Sequence, residues 1–193
     1  MKLTRLEKMF VNRRKEAERN IDRIRRDLEQ LDVDAIHDVL EIGCGVGAIS
    51  AFLADSYGMN VQGTDFDPGQ VELARTRQPT SDRLRFTVED AARLTFENAS
   101  FDLVLSQDIF HHIPDWEQVV KEVVRVLRPE GYFIWLDVVS PRSIARLFQP
   151  LVKNYLSLFT LEQAQSTFAQ GGLEQRFYER VDLVHHHIIL QKG

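Results

Sequence analysis

The chain has 193 residues, 44% hydrophobic and 27% charged, values that exclude a disordered chain and suit one globular domain with no room for a separate substrate domain. A formal net charge of −5 disfavours a nucleic-acid partner, and the lack of any apolar run near the about 18 residues of a membrane span gives an expectation of no stable membrane insertion and a cytoplasmic location. Cys44 is the only cysteine, so an intrachain disulfide and a cysteine-rich metal centre are both excluded.

In chain order, Leu3, Phe10, Ala17, Ile24 and Leu31 recur every seven residues, with Leu6, Ile21 and Leu28 on the same side. This pattern predicts a long amphipathic helix with room for a bend at Arg13-Arg14. Residues 1–31 hold ten Lys/Arg against six Asp/Glu, which leaves −9 on the remainder. A solvated mixed-charge face is the expected reading, and attraction to an anionic partner or membrane surface the sharper one. The heptad spacing suits either folding back on the domain or a homodimer through this helix, and folding back is expected. Residues 1–36 are therefore read as a helical extension and residues 37–193 as the core of a single domain.

From Val39 onward strand and helix signals alternate, which demands parallel pairing. Strands are expected at Val39–Ile42, Asn60–Thr64, Leu84–Val88, Phe101–Ser106 and Tyr132–Val138. Helices are expected after the glycine loop to about Tyr57, from Pro68 to about Gln78, and over Trp116–Leu127, the last stopped by Pro129 and Gly131. Ser140-Pro141 reads as a helix start with the serine as N-cap. Thr160-Leu161-Glu162-Gln163 reads as a capping box for a helix ending at Gly171-Gly172. Two last strands, about Glu174–Arg180 and His185–Gln191, are joined too closely to be anything but antiparallel.

The chemistry-bearing feature is Val39-Leu40-Glu41-Ile42-Gly43-Cys44-Gly45-Val46-Gly47, a strand running through glycines into a helix, where the backbone can approach a nucleotide-like ligand closely. Gly43, Gly45 and Ala48 also satisfy the pattern of NAD-binding folds, so the loop alone leaves both ligands open. Glu41 at the mouth of the strand suits a cofactor carrying a cationic sulfonium and ammonium better than a pyrophosphate. Asp65, after the second strand, is placed to accept two ribose hydroxyls. Glu89-Asp90-Ala91 puts a carboxylate where an adenine amino group could donate. No Tyr-x-x-x-Lys occurs, which weakens an NAD-linked oxidoreductase further.

Taken together, Val39–Gly47, Gly63-Thr64-Asp65, Asp90-Ala91, Phe101-Asp102-Leu103-Val104, Phe110-His111-His112 and Glu122–Gly131 resemble the ordered motifs of the class I S-adenosylmethionine-dependent methyltransferases, small-molecule type. The resemblance covers roughly residues 37–140, and Phe159–Phe177 is similar to that family's last helix and following strand. It implies an α/β, Rossmann-like three-layer sandwich with a seven-stranded sheet of order 3-2-1-4-5-7-6, strand 7 antiparallel, and S-adenosylmethionine as cofactor. It further implies that Gly43 and Gly45 pass the methionine part, Asp65 binds ribose, Phe66 flanks adenine, Asp90 and Ala91 read the adenine edge, and Gln107 lines the methionine side.

Methyl transfer from a sulfonium needs alignment above all, since near-attack geometry alone supplies effective molarities of about 10⁵–10⁸ M. A base matters only for a protonated nucleophile, and His111 and His112 are the candidates for it, beside Asp108 in the segment after the fourth strand. Ser106-Gln107-Asp108-Ile109-Phe110 departs from the Asn/Asp-Pro-Pro-Tyr/Phe motif of enzymes that methylate amino groups on bases or glutamine, so a small-molecule acceptor is expected. The apolar stripe Ile144, Leu147, Phe148, Leu151, Val152 and Tyr155 reads either as a cover for an apolar substrate, together with the first helix, or as core. His185-His186-His187 lacks a Cys or Glu to complete a metal set and reads as a strand cluster. A non-catalytic binder of the cofactor or its product is the alternative reading of function.

Overall fold

The computed structural model describes residues 14–78, 81–152 and 156–193. Leu3, Leu6 and Phe10 of the expected first helix, and Tyr155 of the apolar stripe, lie outside them. One sheet carries seven strands in the order β3-β2-β1-β4-β5-β7-β6, with helices alternating between the strands. The described residues divide into two compact units between Asp90 and Ala91.

In the first unit, α1 (Arg14–Leu28) leads into β1 (Asp38–Ile42), α2 (Ala48–Tyr57), β2 (Asn60–Asp65), α3 (Pro68–Arg77) and β3 (Leu84–Val88). α1 packs on α2, burying Ile24 and Leu28 and setting the Arg25 guanidinium 5.3 Å over the Phe52 ring. The apolar side of this helix thus folds back on its own chain, where burial of two aliphatic side chains stabilises by about 3–6 kcal/mol. β1, β2 and β3 pair in parallel, Glu41 opposite Gly63 and Gly63 opposite Phe86. The absence of a side chain at Gly63 is required by packing, since a Cβ there would come within 2.6 Å of the Phe86 ring. At Gly47, whose φ is 73°, a Cβ would meet the same ring at 2.5 Å.

The second unit contains β4 (Phe101–Gln107), α4 (Trp116–Val126), β5 (Leu127–Val138), α5 (Arg142–Val152), α6 (Leu161–Gln170), β6 (Leu173–Arg180) and β7 (His185–Lys192). β4 and β5 are parallel, while β7 runs antiparallel to both β5 and β6. Phe110, Phe133, Trp135, Phe159 and Phe168 form a buried aromatic cluster with centroid separations of 5.3–6.2 Å. The Thr160–Gln163 capping box is formed in full.

Two element boundaries differ from the sequence expectation. The helix expected to stop at Pro129 ends at Val126, and β5 starts at Leu127 instead of Tyr132, pairing Leu127 with Phe101 before the register jumps to Tyr132 opposite Leu103. The residues between bulge, with Glu130 in a left-handed conformation at φ 63°, because proline cannot donate to the ladder. α5 begins at Arg142, and the Pro141 carbonyl accepts the Ala145 N–H, so Pro141 and not Ser140 takes the capping position. The Ser140 N–H is drawn to the Phe159 carbonyl instead.

Candidate functional site

At the carboxyl end of β1 the backbone turns through three left-handed glycines, Gly43, Gly45 and Gly47 at φ 77°, 52° and 73°. The Gly43 and Cys44 N–H groups both donate to the Thr64 carbonyl at 2.8 Å, and the Thr64 hydroxyl donates to the Glu41 carbonyl at 2.8 Å, so β2 grips the loop from both sides. Asp65 completes this grip. Its Oδ2 accepts the Gly45 N–H at 3.1 Å and its Oδ1 the Asp67 N–H at 2.9 Å. The adjoining Phe66 is 48% exposed and Asp90 is exposed, whereas Asp67 is buried and caps α3 through the Gly69 N–H.

Glu41 is buried beneath the loop, where the Ser50 hydroxyl of α2 donates to its carboxylate. Burial pushes its carboxyl from 4.5 up to about 7, opposed by the Ser50 hydrogen bonds and reinforced by the nearby Asp65 charge. Burial likewise pushes the Cys44 thiol up, which marks it as an inert packing residue of the turn.

In the second unit the decisive group is Asp137, fully buried in β5, which composition and spacing did not single out. Its Oδ2 accepts the backbone N–H groups of Ile109 at 2.9 Å and Phe110 at 2.6 Å, and its Oδ1 accepts from Val138 N at 2.7 Å and His111 Nδ1 at 2.6 Å. One carboxylate thus shapes the turn Phe110–His112 and orients the His111 ring. With Nδ1–H given to Asp137, Nε2 of a neutral His111 carries the lone pair. The His112 ring lies against that of His111 at a tilt of 42°, centroids 4.0 Å apart, and the His112 backbone N–H donates to the Ile109 carbonyl. A clue was present in the sequence: an acidic residue ends the otherwise apolar Phe133–Leu136 run, and a carboxylate buried there must be compensated.

Gln107 ends β4, and both polar atoms of its side-chain amide are buried with no hydrogen-bond partner among the described residues. Ala91 is half-buried. Asp108 follows in a left-handed conformation at φ 55°, 3.6 Å from the Nε2 of His185. The His185 Nδ1 lies 2.7 Å from Asp182, whose carboxyl is held at about 2 by the backbone N–H groups of His185 and Val184. His186 contacts the Tyr178 hydroxyl at 2.9 Å and His187 packs on Phe177, so the three histidines diverge to three different partners.

The methyltransferase domain family matches residues 40–135, a span that runs from β1 through most of β5. Methyltransferase GfsG of Streptomyces halstedii is 37% identical over 135 residues, covering 68% of this chain and 49% of that protein. The chain belongs to the class I S-adenosylmethionine-dependent methyltransferases. Within this methyltransferase family, 2-methyl-6-phytyl-1,4-hydroquinone methyltransferase of Synechocystis sp. is 40% identical over 99 residues, 51% of this chain and 31% of that one. The chain therefore spans about half or less of the length of these two curated relatives. Phosphoethanolamine N-methyltransferase 2 of Haemonchus contortus, solved with S-adenosyl-L-methionine, shares the fold with a TM-score of 0.70 at 20% identity, over 81% of this chain and 49% of that chain.

Proposed function

We propose that the protein transfers the methyl group of S-adenosylmethionine to a hydroxyl of an apolar small molecule, with His111 as the base. The observation that carries this reading is the buried Asp137 carboxylate at 2.6 Å from His111 Nδ1, which leaves Nε2 to take a proton. An amine acceptor that arrives neutral needs no such pair, whereas a phenol does.

The residues present fit the cofactor. Gly43 and Gly45 present backbone in left-handed conformations that favour glycine, the Asp65 carboxylate at the end of β2 suits ribose hydroxyls as donors to it, and exposed Phe66 offers a ring face to a base. The buried amide of Gln107, without a partner of its own, suits the polar methionine end, and Asp90 with Ala91 suits the adenine edge. Glu41, raised to about 7 by burial beneath the loop, would supply negative charge there as the cationic end favoured its ionised form. When bound, S-adenosylmethionine supplies a sulfonium methyl as electrophile and a neutral thioether as leaving group. His111 would take the acceptor's hydroxyl proton onto Nε2, and Asp137 would hold the resulting imidazolium in place.

An aromatic hydroxyl on an apolar body is the acceptor we favour. The name of the hydroquinone methyltransferase relative supports it, as does the exposed apolar face of α5. The test is turnover of methyl-labelled cofactor against a panel of alkylated phenols and hydroquinones. Label transfer that disappears in a His111→Gln variant with unchanged adenosylhomocysteine affinity is the expected result. Tight adenosylhomocysteine binding with no transfer to any panel member would leave a non-catalytic binder, and transfer untouched by His111→Gln would remove the base.

A further inference from the structure

Asp108 and His185 belong to strands that are not neighbours in the sheet. Asp108 follows β4, His185 opens β7, and β5 runs between those two strands. Two strand spacings, about 10 Å, separate their backbones. Their side chains nevertheless come to 3.6 Å, Oδ1 to Nε2, so both lean over the carboxyl end of β5. That strand end also carries Asp137, which orients the His111 ring. In an open α/β sheet the crevice beyond the carboxyl ends of the strands is where a ligand sits.

Both side chains are held from behind. The Asp108 N–H donates to the Leu136 carbonyl of β5 at 2.9 Å, and His185 stands opposite Val138 in the ladder between β5 and β7. His185 Nδ1 lies 2.7 Å from Asp182 Oδ2. The Asp182 carboxyl is held at about 2 by the backbone N–H groups of His185 and Val184, so at neutral pH it only accepts and His185 Nδ1 carries the hydrogen. Arg180 braces the turn by donating to the Asp182 and Leu183 carbonyls. Nε2 of the neutral His185 ring is thereby an acceptor, and it stands 3.6 Å from another, the Asp108 carboxylate. Two acceptors so close favour a group that donates. The Asp108 and His185 side chains keep 43% and 33% of their exposure, so a ligand can reach them.

We propose that Asp108 and His185 form a second anchor of the acceptor site, binding a hydroxyl or amino group of the acceptor other than the oxygen that is methylated. This rests on the functional reading above. Asp108 and His111 are three positions apart, at most about 11 Å along the chain, so one small aromatic acceptor reaches both. Held by one hydroxyl alone, a flat acceptor turns about that contact. A second contact fixes the ring, and near-attack alignment is the main source of rate in methyl transfer.

The test compares an alkylated hydroquinone, the phenol lacking its second hydroxyl and the matching aminophenol. Their equilibrium affinities are measured for the full chain saturated with adenosylhomocysteine, beside KM and kcat. The hydroquinone or the aminophenol should bind at least about tenfold more tightly than the phenol, the tighter of the two identifying the donor. Asp108→Asn and His185→Phe should each bring that ratio close to one. Asn tolerates the φ of 55° at position 108, and in His185→Phe the Asp182 carboxylate keeps its backbone donors, so melting temperature and adenosylhomocysteine affinity should hold. Leu183→Ala, in the same turn and 83% exposed, should leave the ratio as in wild type. The His185 imidazole resonances, identified by their loss in His185→Phe, should move on addition of the preferred compound and stay in place with the phenol. Equal affinities in the wild type, a ratio kept in either anchor variant, or a ratio that Leu183→Ala also abolishes would each overturn the anchor. Methyl transfer to the phenol and hydroquinone at equal affinity would remove the anchor and leave the functional reading standing. No affinity for any of the three, in a chain that binds adenosylhomocysteine, would overturn the phenolic reading and the anchor together.

Discussion

Glu41 shows how one residue couples folding, pH and ligand. Its carboxyl is raised from 4.5 to about 7 chiefly by burial, so between those values the folded chain binds a proton that the unfolded chain releases. Stability contributed by the protonated form is therefore complete below about pH 4.5 and is lost as pH rises toward 7, amounting to about 3 kcal/mol. Denaturant titrations across this window should show the fall in wild type and its absence in Glu41→Gln. If the cationic end of the cofactor sits by this carboxylate, binding favours the ionised form, and adenosylhomocysteine affinity should rise from pH 6 to pH 8. Calorimetry in buffers of different ionisation enthalpy would detect the proton released, and a pH-independent affinity would remove Glu41 from the binding set.

His111 and Asp137 separate catalysis from folding. Replacing His111 by Gln removes a half-buried ring, and the expected loss is at least about 100-fold in kcat with little change in melting temperature. Asp137→Asn does more, because the carboxylate serves three backbone N–H groups besides the imidazole. Its loss should destabilise by about 3 kcal/mol as well as lower kcat, measured by thermal denaturation beside turnover. Equal stability in the two variants would contradict the account of Asp137 as the organiser of the turn.

Among the elements, the glycine loop and α6 give the sharpest expectations. Gly47→Ala would force a Cβ into the Phe86 ring at a left-handed φ, at a cost of about 2–4 kcal/mol. Pairing it with Phe86→Leu should recover part of this, and a double-mutant cycle without coupling would show that backbone strain alone matters. Thr160→Ala should lower stability by about 1 kcal/mol through loss of the capping box. These elements were legible in sequence because their signals are local: glycines at a strand end, and Thr-x-x-Gln before a helix. The start of β5 was not, because Pro129 and Gly131 read locally as a stop, while pairing of Leu127 with Phe101 draws the chain into the sheet before them. Long-range hydrogen bonds outweighed the local breaker.

For the whole molecule, ligand linkage offers a test independent of any acceptor. Adenosylhomocysteine at a hundred times its dissociation constant should stabilise the fold by about 2.7 kcal/mol, and NAD should not. The alternation of strands and helices and the placing of Gly43, Gly45 and Asp65 at the ends of β1 and β2 could be read from the sequence alone, because a parallel α/β sheet repeats one local unit, while strand order and cofactor class were implied by the resemblance to the class I methyltransferases. The tertiary structure decided what depends on groups distant in sequence. It brought Asp137 to His111 across 26 positions, buried Glu41 beneath Ser50, split three adjacent histidines among different partners, and left one face of α5 uncovered. Local periodicity states which residues share a face; only the packed chain states what that face meets.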